Sequence, residues 1–162
     1  MINLFKTTKF HADWWGRRKI DWNRHYTDTW KHPHREIIIN KLRSWRWVSL
    51  LEVGCASGPN LIKIWGQFPK SDVAGVDINP DAIQTAQNIF KDLTKDWFKE
   101  FGVRRAVPWF KVNSVDNVMI SDDATDIIMS DRTLIYVGGR DIKKCLLEMK
   151  RVTRNRILLV EF

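Results

Sequence analysis

The sequence predicts a doubly wound α/β fold with a mostly parallel sheet of about five strands. From Val48 onward, short apolar runs alternate with stretches whose apolar residues recur every three or four positions. This alternation is typical of parallel strands covered by helices. The length of 162 residues agrees with a single domain, because domains usually hold about 100 to 200 residues.

Each element of this fold has its own signal in the sequence. The predicted strands are VSLLEV (48–53), DVAGVDI (72–78), PWFKVNS (108–114), ATDIIMS (124–130) and RILLVEF (156–162). Amphipathic segments between these runs predict helices, with apolar faces through Leu61, Ile64, Trp65 and Phe68, through Ile83, Ala86, Phe90, Leu93 and Trp97, and through Ile142, Leu146, Met149 and Val152. The second helix has a marked start, since Asn79 suits a helix cap and Pro80 the first helical position.

The first 47 residues differ in composition from the rest of the chain. They hold 11 Lys and Arg against 4 Asp and Glu, and so carry nearly all of the net charge of +8. They also hold all four histidines and six of the nine tryptophans. We therefore expect two units: residues 1–47 as a basic, aromatic appendage or lid, and residues 48–162 as the core. No Gly/Ser linker separates the two, which favours an appendage packed on the core. Its tryptophans are interpreted as core or docking residues, with stacking platforms as the alternative.

Several function classes are disfavoured by what the chain lacks. No apolar run approaches the roughly 18 residues of a membrane span, and the N-terminal residues lack the continuous apolar stretch of a signal peptide. We therefore expect a cytoplasmic protein with no membrane partner. The HPH segment at 32–34 does not fit a Cys/His zinc spacing, so it is interpreted as a loop or the start of a helix, and no metal is expected.

The segment LLEVGCASGPNL (50–61) holds the most specific signal, because a predicted strand runs directly into a glycine-containing turn. Gly54 and Gly58 permit a turn tight enough for the backbone to approach a ligand, and the next helix directs its free amides to the same place. A dinucleotide fingerprint would need glycines at the positions of Ala56 and Pro59. The pattern thus disfavours a nicotinamide dinucleotide, and the lysine of a phosphate-binding loop is missing.

The pattern E-x-G-x-A-x-G, with Asp77 closing the second strand, resembles the class I S-adenosylmethionine-dependent methyltransferases. The resemblance covers about residues 48–162 and implies a Rossmann-like core that binds S-adenosylmethionine and releases S-adenosylhomocysteine. It implies that Glu52 lies near the ammonium group of the cofactor and that Asp77 binds both ribose hydroxyls. The cofactor-binding residues expected on this basis are Glu52, Gly54, Cys55, Ala56, Gly58, Asp77, Ile78, Asn113, Ser114 and Ser130.

The chain departs from the family pattern in three places. Ala56 stands where the family has its middle glycine. The position that often meets the adenine is Ser114 or Asn113, with Asp116 two residues on. The family sheet has seven strands and this chain reaches five, so we expect the outer edge of the last strand to be covered by self-association or by N-terminal residues folding back.

Methyl transfer is a direct displacement, so the enzyme mainly aligns the acceptor and excludes water. A base assists a hydroxyl acceptor, and it is expected after the fourth strand, in SDRTLIY (130–136). Asp131 is the first candidate for acceptor contact or base, and Tyr136 the second. His34 or His25 is a third, delivered by the N-terminal segment. The alternative role for Asp131 is an ion pair with Arg132.

Three functional hypotheses follow. The first is a methyltransferase for a small metabolite, such as a sugar or secondary product. The second is an RNA methyltransferase whose basic, tryptophan-rich N-terminal segment contacts phosphates and stacks bases. The third is a non-catalytic protein that binds S-adenosylmethionine. We favour the first, because the basic residues alternate with acids and apolar positions. The Asn/Asp-Pro-Pro-aromatic signature of methylation at base amino groups is also absent from the sequence.

Overall fold

The predicted α/β fold is confirmed by a computed structural model that describes residues 8–102 and 105–161. The strands are β1 Ser49–Val53, β2 Asp72–Asp77, β3 Trp109–Val112, β4 Thr125–Asp131 and β5 Thr153–Val160. The helices are α1 Thr8–Arg17, α2 Trp22–Thr29, α3 His34–Arg43, α4 Pro59–Gln67, α5 Pro80–Phe101 and α6 Ile142–Val152, with a short 3-10 turn at Leu134–Tyr136. The described strands form one sheet in the order β3-β2-β1-β4-β5, and all neighbouring pairs are parallel.

The strand order reverses beside β1. The chain moves outward from β1 to β2 and β3, and then returns to the other side of β1 with β4. Val53, at the end of β1, lies opposite Val76 of β2 on one side and Ser130 of β4 on the other. Ligands of doubly wound folds bind beyond the carboxyl ends of the strands at such a reversal.

Two apolar cores lie on opposite faces of the sheet, because side chains alternate along each strand. On one face, Leu50 packs in a cluster with buried residues of α3, α4 and α5, among them Ile39 and Phe90. On the other face, Leu51 packs with residues of α6 such as Met149. Helices therefore cover both faces, and the carboxyl ends of the central strands remain available for a site.

Helix α5 begins and ends where the local chemistry predicts. Asn79 Oδ1 accepts a hydrogen bond of 3.0 Å from the Ala82 N–H, and Pro80 occupies the first helical position, as expected from the sequence. Gly102 ends the helix in the left-handed conformation, with φ of 66°. Glycine is favoured at this position because it has no Cβ to clash in the left-handed conformation.

The N-terminal helices pack against the rest of the chain. Ile38, Ile39 and Leu42 of α3 are buried in the same cluster as the sheet residues, and Trp22 of α2 is also buried. Helix α3 begins at His34, which is the last residue of the HPH segment. This agrees with the interpretation of that segment as the start of a helix. No described helix has the length and apolar character needed to cross a membrane. The division at residue 47 stays a prediction.

Strands β3 and β5 differ from their predicted bounds by more than one residue. Strand β3 is shorter than residues 108–114, and β5 begins at Thr153, three residues before the predicted start. The Thr153 hydroxyl donates hydrogen bonds of 3.2 and 3.1 Å to the carbonyl oxygens of Thr125 and Asp126, which joins β5 to β4 at once after α6. The polar residues 154–156 concealed this start, because they are exposed. The last predicted strand residue, Phe162, lies outside the described residues.

Candidate functional site

A cleft of about 310 Å³ lies at the carboxyl ends of the strands, in the range typical of small-molecule sites. Its lining from the sheet side includes ten of the residues expected from the sequence: Glu52, Gly54, Cys55, Ala56, Asp77, Ile78, Asn113, Ser114, Asp131 and Tyr136. Residues of α2, α3 and the end of α1 form the opposite wall, among them Trp15, Trp22 and Arg35. The N-terminal segment thus takes part in the cleft, as a lid would.

The glycine turn is shaped by left-handed backbone at three positions. Gly54 has φ of 72°, and a Cβ there would lie 1.9 Å from the Thr133 hydroxyl oxygen, so only glycine fits. Gly58 has φ of 83° and precedes α4. Ala56 has φ of 49°, an unfavourable conformation for a residue with a Cβ. The turn is therefore held in shape by its surroundings, even though Ala56 replaces the family glycine.

Three expected site residues do not line the cleft. Gly58 lies behind the turn, where its role is conformational. Ser130 is buried and donates a hydrogen bond of 2.5 Å to Glu161 Oε1, so its hydroxyl is engaged away from the cleft. His34 lies behind Asp131. These three residues therefore lie outside the lining of the cleft, and their direct contact with a ligand stays a prediction.

Asp77 connects the end of β2 to the glycine turn. Its Oδ2 accepts a hydrogen bond of 2.8 Å from the Ala56 N–H, and its Oδ1 accepts one of 2.9 Å from the Asn79 N–H. Burial raises the pKa of Asp77, while these backbone donors oppose the rise. Each carboxylate oxygen can still accept a further hydrogen bond on the cleft side.

Glu52 is a buried acid with one oxygen unpartnered. Asn60 Nδ2 donates a hydrogen bond of 2.6 Å to Glu52 Oε1. Glu52 Oε2 is buried and has no hydrogen-bond partner in the described part of the chain. Burial raises the pKa of Glu52 to about 8, although Asn60 acts in the opposite direction. A buried oxygen without a partner calls for an explanation, and a cationic donor from a ligand supplies one.

Asp131 is a second acid with one buried oxygen that lacks a hydrogen-bond partner among the described residues. Its Oδ2 lies 2.8 Å from His34 Nε2 and accepts a hydrogen bond of 3.0 Å from Asn60 Nδ2, with Arg35 Nη1 at 3.6 Å. Its Oδ1 is buried without a hydrogen-bond partner among the described residues, although Arg132 Nε lies 3.6 Å away. The ion pair with Arg132 that was considered from the sequence thus exists, but it leaves Oδ1 able to bind a hydroxyl.

Two residues of this site were missed from the sequence. Arg35 is only 3% exposed; its Nη1 donates to Asn60 Oδ1 and its Nε donates a hydrogen bond of 2.9 Å to the Thr29 carbonyl. Asn60 joins Glu52 to Asp131 through one amide group. Asn60 left a faint signal, a polar residue in the first turn of an apolar helix. Arg35 left none, because its partners are distant in sequence.

Aromatic and imidazole groups form the upper wall of the cleft. The rings of Trp15 and Tyr136 meet edge to face with centroids 4.9 Å apart, which joins the N-terminal segment to the turn after β4. His25 Nδ1 lies 3.3 Å from the Ser57 hydroxyl oxygen, and His25 lines the cleft. Burial lowers the pKa of His25, as do Arg35 and Arg132. Of the two histidines considered, His25 is therefore the one that reaches the cleft.

Comparison with a family model agrees with this geometry. Residues 47–161 match the model of a family described as "Methyltransferase domain". The match covers every strand of the sheet and the glycine turn. No curated protein matches the chain in sequence.

Solved structures of similar fold include several methyltransferases. A putative S-adenosylmethionine-dependent methyltransferase from Methanococcus maripaludis aligns with a TM-score of 0.65 and 15% identity, over 88% of this chain and 65% of that one. Magnesium protoporphyrin IX methyltransferase from Synechocystis PCC 6803, with bound S-adenosylmethionine, aligns with a TM-score of 0.63 and 14% identity, over 98% of this chain and 72% of that one. The YcgJ protein from Bacillus subtilis aligns with a TM-score of 0.57 and 22% identity, over 79% of this chain and 50% of that one. The chain spans between two fifths and two thirds of the length of the first four such structures.

Proposed function

Because the chain belongs to the methyltransferase-domain family, we propose that it transfers a methyl group from S-adenosylmethionine to a small metabolite, such as a sugar or secondary product. One observation carries this proposal. Two buried carboxylate oxygens without hydrogen-bond partners in the described residues, Glu52 Oε2 and Asp131 Oδ1, belong to side chains of one cleft beside a glycine turn. Glu52 Oε2 suits a cationic group of a cofactor, and Asp131 Oδ1 suits the hydroxyl of an acceptor.

The cofactor fits the residues at the carboxyl ends of β1, β2 and β3. Glu52 would meet the ammonium group, and Asp77 the ribose hydroxyls. Gly54 lines the cleft next to Glu52, where the methionine part would pass, and Thr133 packs too closely against it for any larger residue. Asn113 and Ser114 line the cleft beyond Asp77, on the adenine side. Arg35, the buried cation of the opposite wall, suits the cofactor carboxylate.

When bound, the cofactor supplies an electrophilic methyl group on a sulfonium centre. The chain's own residues have three tasks around it. Asp131 accepts the proton of the acceptor hydroxyl at Oδ1, while Asn60 and His34 hold its other oxygen in place. Trp15 and Tyr136 exclude water by closing the wall above the cleft. His25, with its lowered pKa, is a neutral group available for acceptor contact.

An RNA acceptor is the second candidate. Its support is the guanidinium of Arg18, which lies 4.3 Å from the ring of the exposed Trp14, at the rim of the cleft. Two other N-terminal cations are paired with acids, Lys19 with Asp81 and Arg24 with Asp28. This pairing reduces the charge available to phosphates, so we favour the small metabolite.

Calorimetric titration with S-adenosylmethionine and S-adenosylhomocysteine tests the cofactor. Transfer of tritiated methyl from S-adenosylmethionine to pooled small metabolites and, separately, to total RNA tests the acceptor. We expect binding of both cofactor forms and transfer to the metabolite pool. Transfer to RNA alone, with binding that weakens steeply as salt rises, would favour the second candidate. Binding without transfer to either pool would point to a non-catalytic protein, and absence of binding would contradict the proposal.

A further inference from the structure

We infer that His34 and His32 form a relay that carries the proton taken up by Asp131 out to solvent. This inference rests on the proposed function, because it assigns Asp131 as the base. It adds two residues with no direct part in substrate binding. His34 is one that sequence reasoning placed in the site, and His32 is new to it.

The reaction itself creates the need for such a path. The acceptor oxygen forms a bond to the methyl carbon, the carbon–sulfur bond breaks with its electron pair staying on sulfur, and the hydroxyl proton must leave. Asp131 would receive that proton at Oδ1. Its side chain is only 5% exposed, so water has almost no direct access to it. Each turnover therefore requires a way out for one proton.

A continuous row of hydrogen bonds leads from Asp131 to the surface. Asp131 Oδ2 lies 2.8 Å from His34 Nε2, and His34 Nδ1 lies 2.7 Å from His32 Nδ1. His34 is buried, whereas His32 is exposed. Two ring nitrogens at this distance share one proton, since two lone pairs or two N–H groups would repel. Imidazole can accept a proton at one nitrogen while it donates from the other, so the row can conduct protons.

The direction of the row is set by a backbone group. The His34 main-chain N–H also donates to His32 Nδ1, at 3.3 Å. This nitrogen therefore carries a lone pair, and the shared proton belongs to His34 Nδ1. His34 then presents Nε2 to a protonated Asp131. In this loaded state, rotation of the protonated Asp131 carboxyl group about its Cβ–Cγ bond turns the proton from the acceptor toward His34. The proton then moves from Asp131 to His34 Nε2, the His34 Nδ1 proton moves to His32 Nδ1, and the His32 Nε2 proton leaves to water. Asp131 is left as a carboxylate that accepts from His34 Nε2–H.

The groups around His34 favour release of a proton from its ring over retention of that proton. Burial lowers the pKa of His34, and Arg35 and Arg132 lower it further, while the hydrogen bond and charge of Asp131 raise it. From α4, the group that contacts Asp131 is the neutral Asn60 amide. The net lowering means that a protonated His34 gives up its proton readily. The exposed His32 ring can then exchange with water.

Nitrogen-15 NMR of the histidine rings tests the relay in the full chain without an acceptor. We expect Asp131→Asn to change the ring tautomer of His32, although His32 does not contact Asp131. Glu36→Gln is the matched control, because it removes an exposed carboxylate from α3 outside the row. The control should leave the His32 tautomer unchanged. An unaltered His32 in Asp131→Asn, or the same alteration in the control, would overturn the relay.

Turnover supplies the second measurement, with the acceptor found by the tritiated-methyl screen. His32→Ala should lower kcat at least fivefold with little change in KM, and added imidazole should restore the rate. His32 is exposed, so the variant is expected to fold, and S-adenosylhomocysteine titration verifies its cofactor site. If cofactor binding and wild-type transfer are present but His32→Ala has unchanged kcat and pH profile, the relay fails while the proposed function stands. No cofactor binding by the wild type would instead defeat the proposed function.

Discussion

The side-chain amide of Asn79 donates a hydrogen bond of 2.8 Å to the main-chain carbonyl of Trp15. The same nitrogen also lies 3.0 Å from the Arg18 carbonyl, while Asn79 Oδ1 caps α5. One residue therefore starts a core helix and holds the end of α1 over the cleft. Since Trp15 also contacts Tyr136, this attachment keeps the upper wall in place.

Asn79→Asp should open the N-terminal segment without removing the helix cap. A carboxylate still accepts from the Ala82 N–H, but it cannot donate to the two carbonyl oxygens. We expect the free energy that favours the closed position of this segment to fall by about 1 to 3 kcal/mol, because two hydrogen bonds are lost. Trypsin should then cleave faster at the exposed bonds of residues 17–19, and residues 10–35 should exchange amide hydrogen faster. Bound S-adenosylhomocysteine should slow both processes.

Asn88→Asp is the matched control for this experiment, because Asn88 lies on the exposed surface of α5. It makes the same chemical change without touching α1. Equal cleavage rates in the two variants would contradict the role of Asn79. Deletion of residues 1–35 with cofactor affinity and turnover intact would contradict the lid as a whole.

Asp77→Ala should weaken S-adenosylhomocysteine binding by about 1.5 to 3 kcal/mol, through loss of charge-assisted hydrogen bonds to the ribose hydroxyls. Calorimetry measures the affinity. Because Asp77 also accepts from the Ala56 and Asn79 backbone, urea unfolding must accompany it to separate folding from binding. Asp72→Ala, at the exposed start of the same strand, should bind like the wild type. An unchanged affinity in Asp77→Ala would end the ribose assignment.

The buried Glu52 should make stability fall as pH rises. Its pKa is raised from 4.5 to about 8 in the folded chain, so between these values the folded state holds a proton that the unfolded state has lost. The free energy of unfolding should therefore decline through this window by up to about 1.4 kcal/mol per pH unit. Glu52→Gln should lack this part of the decline in urea titrations from pH 5 to 8. Parallel curves for the two proteins would contradict the raised pKa.

Cofactor binding should release a proton from Glu52 near pH 7. The ammonium group placed beside Oε2 favours the carboxylate and lowers its pKa. Calorimetric titration of S-adenosylhomocysteine in buffers with different heats of ionisation measures this release. The wild type should show a fractional proton released, and Glu52→Gln should show less. Equal values would separate Glu52 from the ammonium site.

Ala56→Gly should stabilise the fold slightly. Left-handed backbone disfavours alanine by about 1 to 2 kcal/mol, and the greater freedom of glycine in the unfolded chain returns about 0.4 to 1 kcal/mol of this. A net gain below about 1.5 kcal/mol is expected in urea unfolding. Ala74→Gly, within β2, should instead lose stability. A loss in both variants would show that the Ala56 methyl has a packing role.

The outer edge of β5 should promote self-association of this chain. Among the described residues, β4 alone pairs with β5, so its other edge presents free backbone groups. Light scattering over a concentration series should show growth in mass. Leu159→Lys should reduce this growth, whereas Leu147→Lys on the exposed surface of α6 should not. A monodisperse monomer with fast amide exchange along β5 would mean that the edge stays open.

The local parts of this site were predictable from the sequence because they depend on short-range rules. The glycine turn, the acid at the end of β1 and the capped start of α5 are each encoded within a few residues, and the family they indicated is confirmed by the family model. The five-stranded parallel sheet followed from the alternation of strands and helices.

The remaining parts depend on contacts between distant segments. Arg35 reaches Asp131 across 96 positions of sequence, and nothing near either residue indicates the other. Ser130 was expected in the cleft from the family resemblance, but its hydroxyl donates to Glu161. His34 was expected to be delivered to the acceptor by the N-terminal segment, whereas its ring contacts Asp131 and does not line the cleft. The sequence does not show how far a helix end reaches.

The shared amide of Asn60 makes the two halves of the cleft energetically dependent on each other. Its single nitrogen has two hydrogens, one for Glu52 and one for Asp131. A ligand that draws charge onto Glu52 strengthens one of these bonds and moves the amide, which alters Asp131 where the second ligand would bind. Cofactor and acceptor should therefore bind cooperatively. Because such coupling is reciprocal, the acceptor must change cofactor affinity by the same factor by which the cofactor changes acceptor affinity.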